Sequence, residues 1–155
     1  MTGAQDAPAE FCVLFIHPAY FWFDRRGGEA CPHRMHPRPY EELKVWQLAH
    51  QLNLDVSALS RTFPRHERFE LTGQLRRAVR SVPTNLAEGH GQYGPRVFLR
   101  HVRIAQGSLA EVDYLLMNAR DEGYVKREVW EKFAERVWDL RAMLIALARS
   151  LERAA

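Results

Sequence analysis

Phe98, Val102, Ala105, Leu109, Val112, Leu116 and Ala119 recur at alternating steps of four and three residues without a miss. That spacing puts seven apolar side chains on one stripe of an α-helix and on no other regular structure. Three further segments carry the same rhythm. Val45, Ala49, Leu52, Val56, Leu59 and Phe63 make the first stripe, and Leu71, Leu75, Ala78, Val82 and Leu86 the second. Phe133, Val137, Leu140, Leu144, Leu147 and Leu151 make the fourth. From residue 40 onward no strand-like alternation competes with these stripes.

The punctuation between stripes agrees. Pro39 precedes the first helix and Phe63-Pro64 ends it, because proline cannot continue the hydrogen-bond ladder. Thr72 is a candidate cap for the second helix. Pro83 inside that helix should kink or divide it. GHGQYGP, from Gly89 to Pro95, is a break, with Pro95 at a favourable first helical position. Gly123 is placed to end the third helix in a left-handed cap, and the fourth runs from about Lys126 to Ala154. Four amphipathic helices with short connections predict an all-α, antiparallel up-and-down four-helix bundle over residues 39–155. The heptad-like period favours near-parallel packing at about 20°.

Residues 1–38 differ. They hold both cysteines, Cys12 and Cys31, and show no helical periodicity. We read them as an irregular or disordered extension. Met35 opens MHPRPYEELKVWQ, which reads like a protein start, so residues 1–34 are an upstream extension or an incorrectly chosen start; a short strand or arm is the alternative. The apolar run Phe11–Phe23 is too short to span a bilayer and lacks the flanks of a signal peptide. A cytoplasmic, reducing location is the simplest reading, with no membrane partner. Cys31, His33, His17 and His36 fit no zinc spacing, so no metal is expected.

FPRHERFELTGQLRRAVRSVPTNLAEGHG (Phe63 to Gly91), FLRHVRIAQGSLAEVDYLLMNARDEGY (Phe98 to Tyr124) and YEELKVWQLAHQL (Tyr40 to Leu52) together resemble a known family. The shared signals are Phe-Pro before an acidic residue, Leu-Thr-x-Gln-Leu-Arg-Arg-Ala, Ser-x-Pro-x-Asn-x-Ala-Glu-Gly and Gly-Ser-Leu-x-Glu. The family is that of four-helix-bundle proteins encoded in intervening sequences of bacterial 23S rRNA genes. The resemblance covers about residues 40–150. It implies a bundle that assembles into a ring-like homo-oligomer, pentameric in characterised relatives, and no established activity. A related branch, the accessory variability determinant of diversity-generating retroelements, implies a basic pentamer that binds a reverse transcriptase and nucleic acid. The formal net charge of +3 is modest for that branch.

Charge is unevenly spread. Thr72 to Arg103 holds six arginines and one acid, Glu88, leaving 16 of the 22 basic and 18 of the 19 acidic residues elsewhere. Arg76 and Arg80 share a helical face, as do Arg96, Arg100 and Arg103, and a short loop would bring both stripes to one end of the bundle. Such arginines could grip RNA phosphates, with His90 and Tyr93 stacking on an unpaired base. A solvated face, or pairing with acids of a neighbouring subunit, is the plainer alternative. A second, polar stripe runs through Gln74, Arg77, Ser81, Asn85 and Glu88, and faces Ser108 and Glu111. Gly107 beside them suggests close helix approach, with Arg77 or Asn85 meeting Glu111 or Glu88 to fix register.

Glu88 and Glu111 lack the Glu-x-x-His pattern of di-iron bundles, and no phosphate loop or nucleophile elbow occurs. No catalytic residue, cofactor or metal site is expected. Trp46, Trp130 and Trp138 broaden the apolar faces beyond one seam and are candidate subunit-interface anchors. The expected role is binding: RNA or a ribonucleoprotein through Arg76, Arg80, Arg96, Arg100 and Arg103. The alternative is a protein-interaction scaffold, such as an accessory subunit of a reverse transcriptase.

Overall fold

The computed structural model describes residues 38–92 and 94–155. The readings of residues 1–37 and of Tyr93 therefore lie outside the described residues. Four α-helices follow in order: α1 Lys44–Leu59, α2 Leu71–Gly91, α3 Pro95–Asp121 and α4 Arg127–Ala154. Short 3-10 turns precede and follow α1, at Pro39–Glu42, Ser60–Thr62 and Arg65–Arg68.

Each helix packs on its sequence neighbour, and α1 also meets α4, which closes a ring of four. The α2–α3 contact is the most extensive and the α1–α4 contact the thinnest. Cross-helix pairs fix the directions. Residues 60 and 46 of the first segment reach residues 76 and 83 of α2. Ser81 and Asn85 reach Ser108 and His101, and Asp113 and Arg103 reach Arg141 and Glu152. In each pair one number rises as the other falls, so consecutive helices are antiparallel and the up-and-down bundle is confirmed.

The predicted stripes form the core. Leu52, Leu75, Leu86, Leu109, Leu116, Leu140 and Leu144 are fully buried, as are Val56, Val79, Val82, Val102 and Val112. Each such side chain contributes about 1.5–3 kcal/mol over an exposed one. Among the described residues no helix is long and apolar enough to cross a membrane.

The helix ends are closed in different ways. At the end of α3, Gly123 takes φ 75°. Its N–H donates to the Arg120 carbonyl and that of Tyr124 to the Ala119 carbonyl, both at 2.9 Å, which is the Schellman pattern. Thr72 does not cap α2; it is buried inside the helix. Glu67 takes that role instead, its Oε2 accepting from the Leu71 N–H at 3.3 Å. Pro83 does not divide α2, which runs on unbroken to Gly91 and so takes in the first part of the expected break. The proline ring is buried, and its carbonyl accepts a bond from Trp46 Nε1 at 3.1 Å. A neighbouring helix thus holds the chain where the ladder is weakened.

Candidate functional site

The polar residues of the second stripe converge on the α2–α3 seam. Ser108 Oγ donates to Ser81 Oγ at 2.8 Å. Asn85 Nδ2 donates to the Ser81 carbonyl at 2.9 Å, with Ser81 Oγ 3.1 Å away. That use of the amide nitrogen leaves Asn85 Oδ1 as an acceptor. His101 Nδ1 lies 3.2 Å from it, so this ring nitrogen carries the proton. Glu88 Oε2 stands 3.8 Å from the same Nδ1, in reach of a protonated ring. Among the described residues no buried side-chain nitrogen or oxygen lacks a partner.

This is a partial version of the expected network, with different members. Ser81, Asn85, Glu88 and Ser108 take part, but Arg77 and Glu111 stand outside it. His101 supplies the cross-helix partner that Glu111 was expected to provide. Gly107 also differs from expectation: a Cβ there would meet open space. Close approach occurs at Gly89, where a Cβ would lie 2.6 Å from His101 Cβ and 2.7 Å from Phe98 Cδ2.

The five candidate arginines are not brought together. Arg76 Nε donates to Ser60 Oγ at 2.7 Å, at the end of the bundle where α1 finishes. Arg96 Nε donates to the Ala155 carbonyl at 3.1 Å, and Arg103 pairs with Glu152. Those contacts sit where α4 finishes, which in an antiparallel ring is the opposite end. Three of the five are therefore engaged within the chain. Arg80 and Arg100 are exposed and form no ion pair among the described residues. The expected single basic end is replaced by two separated groups, because the rotation of each helix aims Arg76 at α1 and Arg103 at α4.

The three tryptophans also part company. Trp46 is half-buried, stacked on His50 at 4.9 Å and bonded to Pro83. Trp130 lies beneath the Arg120 guanidinium, 4.2 Å from its ring centre. Trp138 is 68% exposed. It stands three residues before Arg141, and Ile145 four after, so both flank the Arg141–Asp113 pair at 2.8 Å that joins α4 to α3. Met117, four residues beyond Asp113, is exposed on the α3 side. Among the described residues no group of three or more His, Cys, Asp or Glu side chains is placed to hold a metal ion.

A crystal structure described as a protein of unknown function from the S23 ribosomal protein family, from Bacteroides thetaiotaomicron VPI-5482, has a similar fold. The TM-score is 0.63 at 19% identity, covering 67% of this chain and 97% of that one. No curated protein matches. The family model for 23S rRNA-intervening sequence proteins matches residues 41–146, which takes in all of α1 to α3 and most of α4. The chain belongs to the 23S rRNA-intervening sequence protein family.

Proposed function

We propose that this protein acts by binding and not by catalysis, as a cytoplasmic bundle that self-associates through the outer face of α3 and α4. Trp138 carries the reading. An indole 68% exposed on a helix whose main stripe is buried is a costly surface to leave in water. Ile145 and Met117 extend it across the two helices, and the Arg141–Asp113 pair supplies polar groups within it. Aromatic anchors with polar surroundings are the composition of subunit interfaces. The ring-like, pentameric assembly implied by the family resemblance would use such a face on each copy. Light scattering of the full chain, 18.0 kDa as a monomer, tests this. The parent should run as a multiple of that mass, and Trp138→Lys should shift it towards the monomer with unchanged helicity. A monomeric parent at high micromolar concentration would sink the reading.

A second reading rests on Arg80 and Arg100, which are exposed without an acidic partner among the described residues. They remain available for RNA or ribonucleoprotein phosphates on the α2–α3 side. Loss of RNA affinity in Arg80→Glu/Arg100→Glu would support this reading, and unchanged affinity would end it. A protein partner such as a reverse transcriptase would instead be captured by the oligomer regardless of those two charges.

A further inference from the structure

The connection between α1 and α2 sorts its residues into two sets. One set faces the bundle. Ser60 is buried, donates to the Ser57 carbonyl at 2.9 Å and accepts from Arg76 Nε. Phe63 is buried against Tyr124, ring centres 6.0 Å apart. Glu67, its side chain only 18% exposed, accepts from Tyr124 Oη at 3.2 Å and from the Leu71 N–H. The other set faces water. Arg61, Arg65, Arg68 and Phe69 are exposed, Phe69 by 82%.

The local helix type accounts for the sorting. Residues three apart in a 3-10 turn eclipse one another, so Arg65 and Arg68 point the same way. Glu67 and His66 take the other directions, and both reach Tyr124. In the sequence Arg61 to Glu70 two acids offset much of the basic charge. In the fold Glu67 is taken up by the α2 start and Tyr124, and with Glu70 it lines a depression on the α2–α3 side beside Gln74, Asn118 and Glu122. Arg77 adds to the basic set: a Cβ placed at Gly73 would lie 3.5 Å from Arg77 Nη1 and 3.4 Å from the Arg68 carbonyl. Its guanidinium therefore reaches back to the foot of α2. None of Arg61, Arg65, Arg68 and Arg77 forms an ion pair among the described residues. The Arg68 guanidinium sits 5.7 Å from the centre of the Phe69 ring.

We infer that this connection, with Arg77 at the foot of α2, is a binding surface for single-stranded nucleic acid, centred away from Arg100 and from the apolar α3–α4 face. The four guanidinium groups meet successive phosphates, and the Phe69 ring stacks on one unpaired base. Electrostatic attraction along the backbone with an aromatic platform is the working combination of sequence-tolerant single-strand binders. Ser60, Phe63 and Glu67 pin the backbone of the connection, so little ordering is needed on binding. A duplex keeps its bases stacked on each other and offers Phe69 nothing.

The test is fluorescence anisotropy of the full chain with a labelled oligouridylate of about 12 nucleotides, from about 50 to 200 mM salt. The parent should bind. Arg65→Gln/Arg68→Gln should weaken binding and flatten the salt slope by about 0.7 per arginine removed. Phe69→Ala should weaken binding by about 5- to 100-fold while leaving the salt slope unchanged. Arg80→Gln/Arg100→Gln should weaken binding less than Arg65→Gln/Arg68→Gln does, because only Arg80, one turn from Arg77, lies near this surface. All altered side chains are exposed or partly so, and circular dichroism melts check that each variant folds. The inference is overturned if the parent does not bind at low salt, or if only the Arg80/Arg100 variant loses affinity. It is also overturned if Phe69→Ala binds normally and a duplex or polyglutamate competes equally well, the behaviour of an unspecific cationic surface.

Discussion

A Cβ at Gly89 would fall 2.6 Å from the Cβ of His101, closer than any two such atoms can pack. Here α2 and α3 touch backbone to side chain. Phe98, one turn earlier on α3, lies 2.7 Å from the same point. Alanine gains about 1 kcal/mol of helix propensity over glycine. Overpacking against a Cβ and an aromatic ring outweighs that, costing about 1–3 kcal/mol. Gly89→Ala should therefore lower stability to urea, whereas Gly107→Ala, which meets open space, should raise it by about 0.5–1 kcal/mol. Equal effects at the two glycines would contradict the packing described.

Asn85 and His101 should be coupled. Asn85→Ala leaves the half-buried imidazole N–H and part of the Ser81 pair without a partner, a loss of about 1–3 kcal/mol. His101→Ala removes the other half. The bond at 3.2 Å joins the two side chains, so the double variant loses less than the two single losses combined. A coupling of about 0.5–1.5 kcal/mol is expected from urea denaturation of the four proteins in the cycle. Strict additivity would remove His101 from the network.

Much of the bundle was legible because burial and helical period carry the same message: the stripes that begin at Val45, Leu71, Phe98 and Phe133 became core, with Phe98 and Phe133 themselves only partly buried at its edge. What escaped depends on how each helix is rotated against its neighbours. Gly89 could have been recognised, since with Val82 and Leu86 it continues the four-three stripe, whereas Gly107 falls off the stripe between Ala105 and Leu109. His101 also left a signal, standing two turns before Ser108 on the row that faces Ser81 and Asn85. The arginines left none. Spacing puts Arg76 with Arg80, but only the position of Ser60 shows that Arg76 is tied down. The same holds for Glu67, whose inward turn depends on Tyr124, 57 residues away.

Trp46 and Trp138 should separate in stability measurements. Trp46 Nε1–H is the partner of the Pro83 carbonyl, in the part of α2 where proline withholds a donor. Trp46→Phe keeps an aromatic ring near His50 but loses that bond, so it should cost about 1 kcal/mol or more. Trp138→Phe removes nothing from the interior and should stay within about 0.5 kcal/mol at concentrations where the chain is monomeric. Thermal melts followed by circular dichroism report both. A larger loss at Trp138 would place that indole in the core.

Asp55 gives the bundle a predictable acid response. Burial pushes its carboxyl up, but hydrogen bonds from Gln51 and Arg136, with the Arg136 charge, outweigh this and hold it below its ordinary value. The Arg136 contact, at 2.8 Å, is a side-chain bridge across the thin α1–α4 seam. A group whose pKa is lowered by folding stabilises the native state only above its unfolded value, because the unfolded chain then takes up protons first. Stability from Asp55 is therefore complete near neutral pH and is lost as pH falls from about 5 through the lowered pKa. Asp55→Asn should be less stable than the parent at neutral pH, and the gap should close in acid. Raising salt should narrow it too, since both side chains are partly exposed. Urea midpoints for the two proteins across that pH range give the answer. A gap that stays constant into acid would mean that uncharged packing between α1 and α4, and not the charge on Asp55, holds this seam, so that the two helices stay joined without the ion pair.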